Sequence, residues 1–247
     1  MTKLYRRNEL AFALIWIVAY VVLTSVGDQV SAEVGVAKSV TAAVHAAMSC
    51  ALYLWIRRNG LMVKYGLCRS TVPHRRFLYY IPLAVIASAS LWSGIGLRMT
   101  AVETALYVIS MCLVGFLEEV IFRGLLFRAI ARDDERRAVV ISSVTFGLGH
   151  IVNLFRGVGQ GLADTLAQIV FAVLVGFTLV LIFLRSGSLM PCIVFHSLNN
   201  ALGAFATASA FGRQTELMLN LALMVVVLGG YLLYLIKAFP NGSETRT

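Results

Sequence analysis

Charge is scarce in this sequence. Only 13% of its 247 residues are Asp, Glu, Lys or Arg, 59% are hydrophobic, and the mean hydropathy is +0.83. That balance excludes an ordinary soluble domain and places the chain among polytopic, all-α membrane proteins. Cysteine is sparse too: Cys50, Cys68, Cys112 and Cys192 lie far apart, form no C-x-x-C pair and fall mostly in apolar runs. This excludes a disulfide framework or a thiolate metal site and leaves the four as small core residues. No internal repeat, low-complexity tract or nucleic-acid motif is present. The net charge of +9 would suggest nucleic acid for a soluble protein, but here the basic residues sit in short loops between apolar runs, so no nucleic-acid partner is expected. Gly157, Gly159 and Gly161 lack the strand-to-helix setting of a nucleotide fingerprint and read as a loop.

What is present is a series of apolar runs. A spanning helix needs about 20 mostly apolar residues, and on that measure about eight segments qualify: 10–27, 34–56, 77–95, 104–127, 138–154, 166–184, 189–208 and 217–238. The basic start Met1 to Arg7 followed by Leu10 to Val26 resembles a signal peptide, but its apolar run is long and no A-x-A site precedes Asp28, so a retained first span is expected. With the N-terminus inside, the inner segments carry Lys3, Arg6, Arg7, Arg57, Arg58, Lys64, Arg69, Arg75, Arg76, Arg128, Arg132, Arg136, Arg137, Arg185, Lys237 and Arg246. The outer loops carry only Arg98, Arg156 and Arg213. The asymmetry predicts a multi-pass cell-membrane protein with both termini cytoplasmic. One membrane domain over 1–247 is expected, with a motif-bearing core at about 104–208 and a disordered tail at 240–247.

Within one run stand Glu118-Glu119-Val120-Ile121-Phe122-Arg123. Burying a charge at mid-membrane costs at least about 2.5–3.5 kcal/mol, so ionisable groups at that depth are functional candidates. Glu118 and Glu119 are the acidic residues deepest in a span. Glu119 and Arg123 are four apart and share a helical face, which favours an ion pair; Glu118 points about 100° away and is left to meet other helices. Phe146 and His150 share a face, with Gly147 and Gly149 between them allowing close backbone approach. His196 and Asn200 share another. At 1.5 Å per residue, Glu118 lies about 15 Å from Arg128, His150 about 18 Å beyond Ala138, and His196 and Asn200 about 10 and 16 Å beyond Leu189. All can therefore occupy one layer. Packing alone is an alternative reading for each histidine, for Asn200 and for Phe146, and fits Asn199 as well.

E-E-x-x-x-R, F-x-x-x-H and H-x-x-x-N, in that order on successive spans, resemble the CAAX-protease and bacteriocin-processing (Abi) family of intramembrane endopeptidases. The resemblance covers Glu118 to Asn200. It implies a catalytic set of Glu118, His150, His196 and Asn200, supported by Glu119, Arg123 and Phe146, in a cavity open toward the cytoplasm. It also implies a peptide or protein substrate in contact with the bilayer, prenylated in some members and plain in others. Peptide hydrolysis needs an activated water, oxyanion stabilisation and a proton for the leaving amine. Glu118 suits the general base, His150 the holding of the water, and His196 with Asn200 the oxyanion. Glu118, His150 and His196 could together bind zinc, but there is no H-E-x-x-H, and using Glu118 as a ligand would leave only the paired Glu119 as base. No cofactor is therefore expected. A transporter or proton relay using buried Glu and His is the alternative function, and a non-catalytic immunity or scaffold protein is another. Lys38 near a span end is expected to snorkel, His45 to pack between helices, His74 to meet lipid headgroups, and residues 132–137 to form a solvated loop.

Overall fold

Among the described residues, five helices are long and apolar enough to cross a membrane: Glu9–Val34, Ser39–Arg58, Ala101–Ala131, Leu162–Ser186 and Met218–Ala238. The computed structural model describes residues 1–92, 94–154, 162–207 and 212–239. Gly157, Gly159, Gly161, Arg156 and the 240–247 tail lie outside them. Everything described is helix or connection, apart from one isolated antiparallel bridge between Ile95 and Ala206.

A short α1 (Thr2–Arg7) leads into α2 (Glu9–Val34), capped by Asn8, whose side chain accepts from Ala11 N at 2.9 Å, and ended by Gly35 at φ 75°. The helix runs seven residues past the segment 10–27. Asp28, Gln29 and Glu33 give its last turns a loop-like composition, but Asp28 is satisfied within the fold by Lys38 Nζ and Thr41 Oγ1, both at 2.7 Å. Lys38, the N-cap residue of α3 (Ser39–Arg58), is thus ion-paired there.

The segments 77–95, 138–154 and 189–208 are helical but shorter. In the first, Leu78, Tyr79 and Tyr80 take left-handed conformations, Pro82 sits in the first helical turn, and α4 (Ile81–Ser88) covers 8 residues. The second is α7 (Glu135–Leu148), N-capped by Asp134 and continued by a 3-10 turn over Gly149–Leu154. The third is α9 (Met190–Ala201), continued by a 3-10 turn over Leu202–Phe205. Its end pairs with the 94–96 strand-like stretch, Gly96 N donating to Phe205 O at 2.9 Å. At 1.5 Å per residue the 14 residues of α7 span about 21 Å, against a hydrocarbon core of about 30 Å.

The central element is α5 (Ala101–Glu118), started by a Thr100/Glu103 capping box and running through a π-helical stretch, Glu119–Leu126, into α6 (Phe127–Ala131). It packs against α3 on one side and α9 on the other, while α2 lies against its π-helical part and α7 pairs with α8 (Leu162–Ser186). The chain closes with α10 (Arg213–Leu223), a second π stretch and α11 (Gly230–Ala238). Gly115 and Gly147 set two of the close crossings. A Cβ on Gly115 would lie 2.6 Å from Ser197 N, and one on Gly147 would lie 3.0 Å from Ile169 O. The Gly115→Ala variant is therefore expected to push α9 away and lose about 1–3 kcal/mol of stability; unfolding in detergent by heat, followed by circular dichroism, checks this.

Candidate active site

The two adjacent carboxylates fall at the junction of α5 and its π-helical continuation, a distortion found often at functional sites. Their surroundings differ. The Glu118 side chain is 13% exposed and that of Glu119 is 0% exposed. Arg123 Nη1 donates to Glu119 Oε1 at 3.0 Å, one helical turn away. The fully buried Arg123 guanidinium lies over the Phe146 ring, 4.0 Å from its centre, so a cation–π contact covers the part of the charge that Glu119 leaves unpaired. The ion pair expected from the i, i+4 spacing is present.

His196 enters from α9 and lies between both carboxylates. Its Nδ1 is 2.8 Å from Glu119 Oε1 and its Nε2 is 3.4 Å from Glu118 Oε2. An ionised carboxylate only accepts, so Nδ1 carries the proton shared with Glu119, and Nε2 is left to exchange a proton with Glu118. Glu119 is thus more than a partner for Arg123: it also fixes the ring that supports Glu118. Phe146 touches this assembly from α7, with ring centres 5.6 Å from His196, 5.4 Å from His150 and 5.4 Å from Phe122.

A cavity of about 300 Å³ adjoins Glu118, and His150 and Asn200 also line it. The structure therefore brings those three of the four sequence-predicted catalytic residues to one space. His196 sits behind Glu118, with both ring nitrogens facing carboxylates, a different placement from the oxyanion donor expected of it. His150 Nδ1 lies 3.2 Å from Phe146 O, which can only accept, so the neutral ring keeps Nε2 as an acceptor. Asn199 Nδ2 donates to Asn200 Oδ1 at 3.3 Å, leaving the Asn200 amide nitrogen as a donor.

Tyr20 was not among the residues predicted from sequence. From α2 its hydroxyl donates to Glu118 Oε1 at 2.6 Å, and its ring stacks on His45 at 6.0 Å. A tyrosine in an apolar helix reads as core, and nothing local relates it to a residue 98 positions away. His45 packs between helices as expected, fully buried, with Thr24 Oγ1 3.1 Å and Ser110 Oγ 2.9 Å from its ring nitrogens. Tyr20→Phe is expected to remove one charge-assisted bond worth about 1.5–3 kcal/mol. If Glu118 is the base, kcat falls about ten- to hundredfold with KM retained, alongside that loss of stability, which steady-state kinetics and thermal unfolding of the variant would measure.

The cavity extends along α2 and α5. Its lining runs from Glu118 toward Asp28, Lys38, Tyr107 and Gln168, the end where α2 closes and α5 begins, away from the arginine-rich helix ends. Helix depth counted along the sequence defines a layer but not which side of it is filled. Here Leu117, Val120, Ile121, Leu125, Leu126 and Phe127 fill the other side, all between 0 and 2% exposed.

Among the described residues, no group of three or more His, Cys, Asp or Glu is arranged to hold a metal ion. The four cysteines are free.

The fold and site together define an all-helical integral membrane protein with a buried Glu/His centre. Residues 100–202 match the family described as type II CAAX prenyl endopeptidase Rce1-like. The resemblance thus holds over the stretch that carries all three motifs. No curated protein and no solved structure matches the chain.

Proposed function

We propose that the protein is an intramembrane endopeptidase in which Glu118 activates water without a metal. The observation that carries this reading is the contrast between the two carboxylates: Glu119 is sealed against Arg123 and His196, while Glu118 reaches a cavity that His150 and Asn200 also line. Glu118 takes a proton from a water held by His150 Nε2, and the hydroxide attacks the peptide carbonyl carbon. Asn200 donates to the resulting oxyanion. The proton stays within the Glu118–His196 pair until the C–N bond breaks, and Glu118 then delivers it to the leaving amine. Tyr20 and His196 hold the carboxylate in one rotamer through the cycle, and Phe146 supports both histidines.

Polar residues also mark proton pathways, but the cavity ends at Glu118 against closely packed apolar residues, which favours a reaction chamber over a conduit. The test is purified protein incubated with prenylated and plain peptides, with and without a chelator, and with metal content measured in parallel. Cleavage of at least one peptide, unaffected by chelation, is expected. No cleavage of any peptide, or activity lost together with stoichiometric zinc, contradicts the reading. Which peptides are cut reports whether a prenyl group is required.

A further inference from the structure

We infer that His45 is a positioning residue for the reaction: anchored to both α2 and α5, it fixes the ring of Tyr20 and through it the orientation of the Glu118 carboxylate. The inference rests on Glu118 being the base.

Tyr20 and Glu118 sit on different helices, and their 2.6 Å bond holds only while α2 and α5 keep one relative position. His45 comes from α3, which packs against both. Its Nε2 is 3.1 Å from the hydroxyl of Thr24, one turn beyond Tyr20 on α2. Its Nδ1 is 2.9 Å from the hydroxyl of Ser110, about two turns before Glu118 on α5. One imidazole is therefore tied to the two helices whose residues must meet. The same ring stacks on Tyr20, with centres 6.0 Å apart and planes inclined by 29°. A phenol oxygen moves rigidly with its ring, so holding the Tyr20 ring also aims its hydroxyl at Glu118 Oε1.

Filling space alone does not call for this residue. An aliphatic side chain would fill a buried gap between helices without two nitrogens to satisfy, and a buried polar group is costly unless bonded. Here His45 is 0% exposed, and each nitrogen has a hydroxyl that can donate or accept, so the ring is held in either neutral tautomer. A fully satisfied buried network of this kind rigidifies its surroundings. Its location is also specific: Tyr20, Thr24, His45 and Glu118 stand together around the reaction cavity.

A double-mutant cycle tests the link. His45→Leu is expected to lower kcat about tenfold with KM retained, the lower end of the loss expected from deleting the Tyr20 hydroxyl. In a Tyr20→Phe background, where there is no hydroxyl left to aim, the same substitution is expected to change kcat by less than about twofold. Equal losses in the two backgrounds overturn the inference, because a purely structural defect adds to the loss of the hydroxyl. If His45→Leu does not fold, Ser110→Ala takes its place: it removes one anchor and is expected to show a smaller loss with the same dependence on Tyr20. A second readout needs no catalysis. Dicyclohexylcarbodiimide labels protonated buried carboxyls, and donation from Tyr20 favours the ionised form of Glu118. Mass spectrometry that separates Glu118 from Glu119 is expected to show faster labelling of Glu118 in both Tyr20→Phe and His45→Leu, with no further rise in the double variant. Labelling unchanged in His45→Leu overturns the inference. Absence of cleavage from every peptide would defeat the proposed function, while the labelling rates would still decide whether His45 positions Tyr20.

Discussion

Replacing Arg123 by alanine is expected to destabilise the folded protein by about 3–5 kcal/mol, because it leaves Glu119 buried without its cation. Both side chains are fully buried, and no water replaces the lost partner cheaply at that position. The loss spreads further: the guanidinium also covers the Phe146 ring, which in turn supports His150 and His196. The double variant Glu119→Gln with Arg123→Met removes both charges and is expected to recover part of the loss, since a neutral pair avoids an uncompensated ion. Unfolding in detergent, comparing the single and double variants, checks both. Equal stability of Arg123→Ala and the native protein would show that the pair contributes little.

Glu118→Gln is expected to behave in the opposite way, folding normally while lowering kcat/KM about 10²–10⁴-fold, the range a general base supplies. Glutamine retains the carbonyl oxygen that Tyr20 reaches and fills the same space, so the assembly around it is preserved. It cannot accept the proton of water. A thermal midpoint near the native value with cleavage lost identifies chemistry as the defect; loss of both would point to a structural role.

Much of this site is legible in the sequence because its geometry is local. The Glu119–Arg123 pair follows from a spacing of four on one helix, and the approach of Phe146 to His150 follows from the same periodicity. The shared layer follows from residue counts along helices of known rise. What is not legible depends on packing between distant segments. Tyr20 approaches Glu118 only because α2 lies along the π-helical part of the central helix. His196 faces two carboxylates because Gly115 lets α9 sit close, a contact that no spacing within α9 reveals. The direction of the cavity is set by which half of the bundle is filled with Leu and Phe side chains. The C-terminal end of α2 is not legible because Asp28 resembles a loop residue, and its partners lie on the next helix.

The most direct measurement is a single turnover in ¹⁸O-labelled water, with mass spectrometry of both the peptide products and the Glu118-bearing fragment of the protein. Glutamate-activated water predicts one ¹⁸O atom in the new C-terminal carboxylate of the product and none in Glu118. Label in the Glu118 side chain would make that carboxylate the nucleophile and contradict the account.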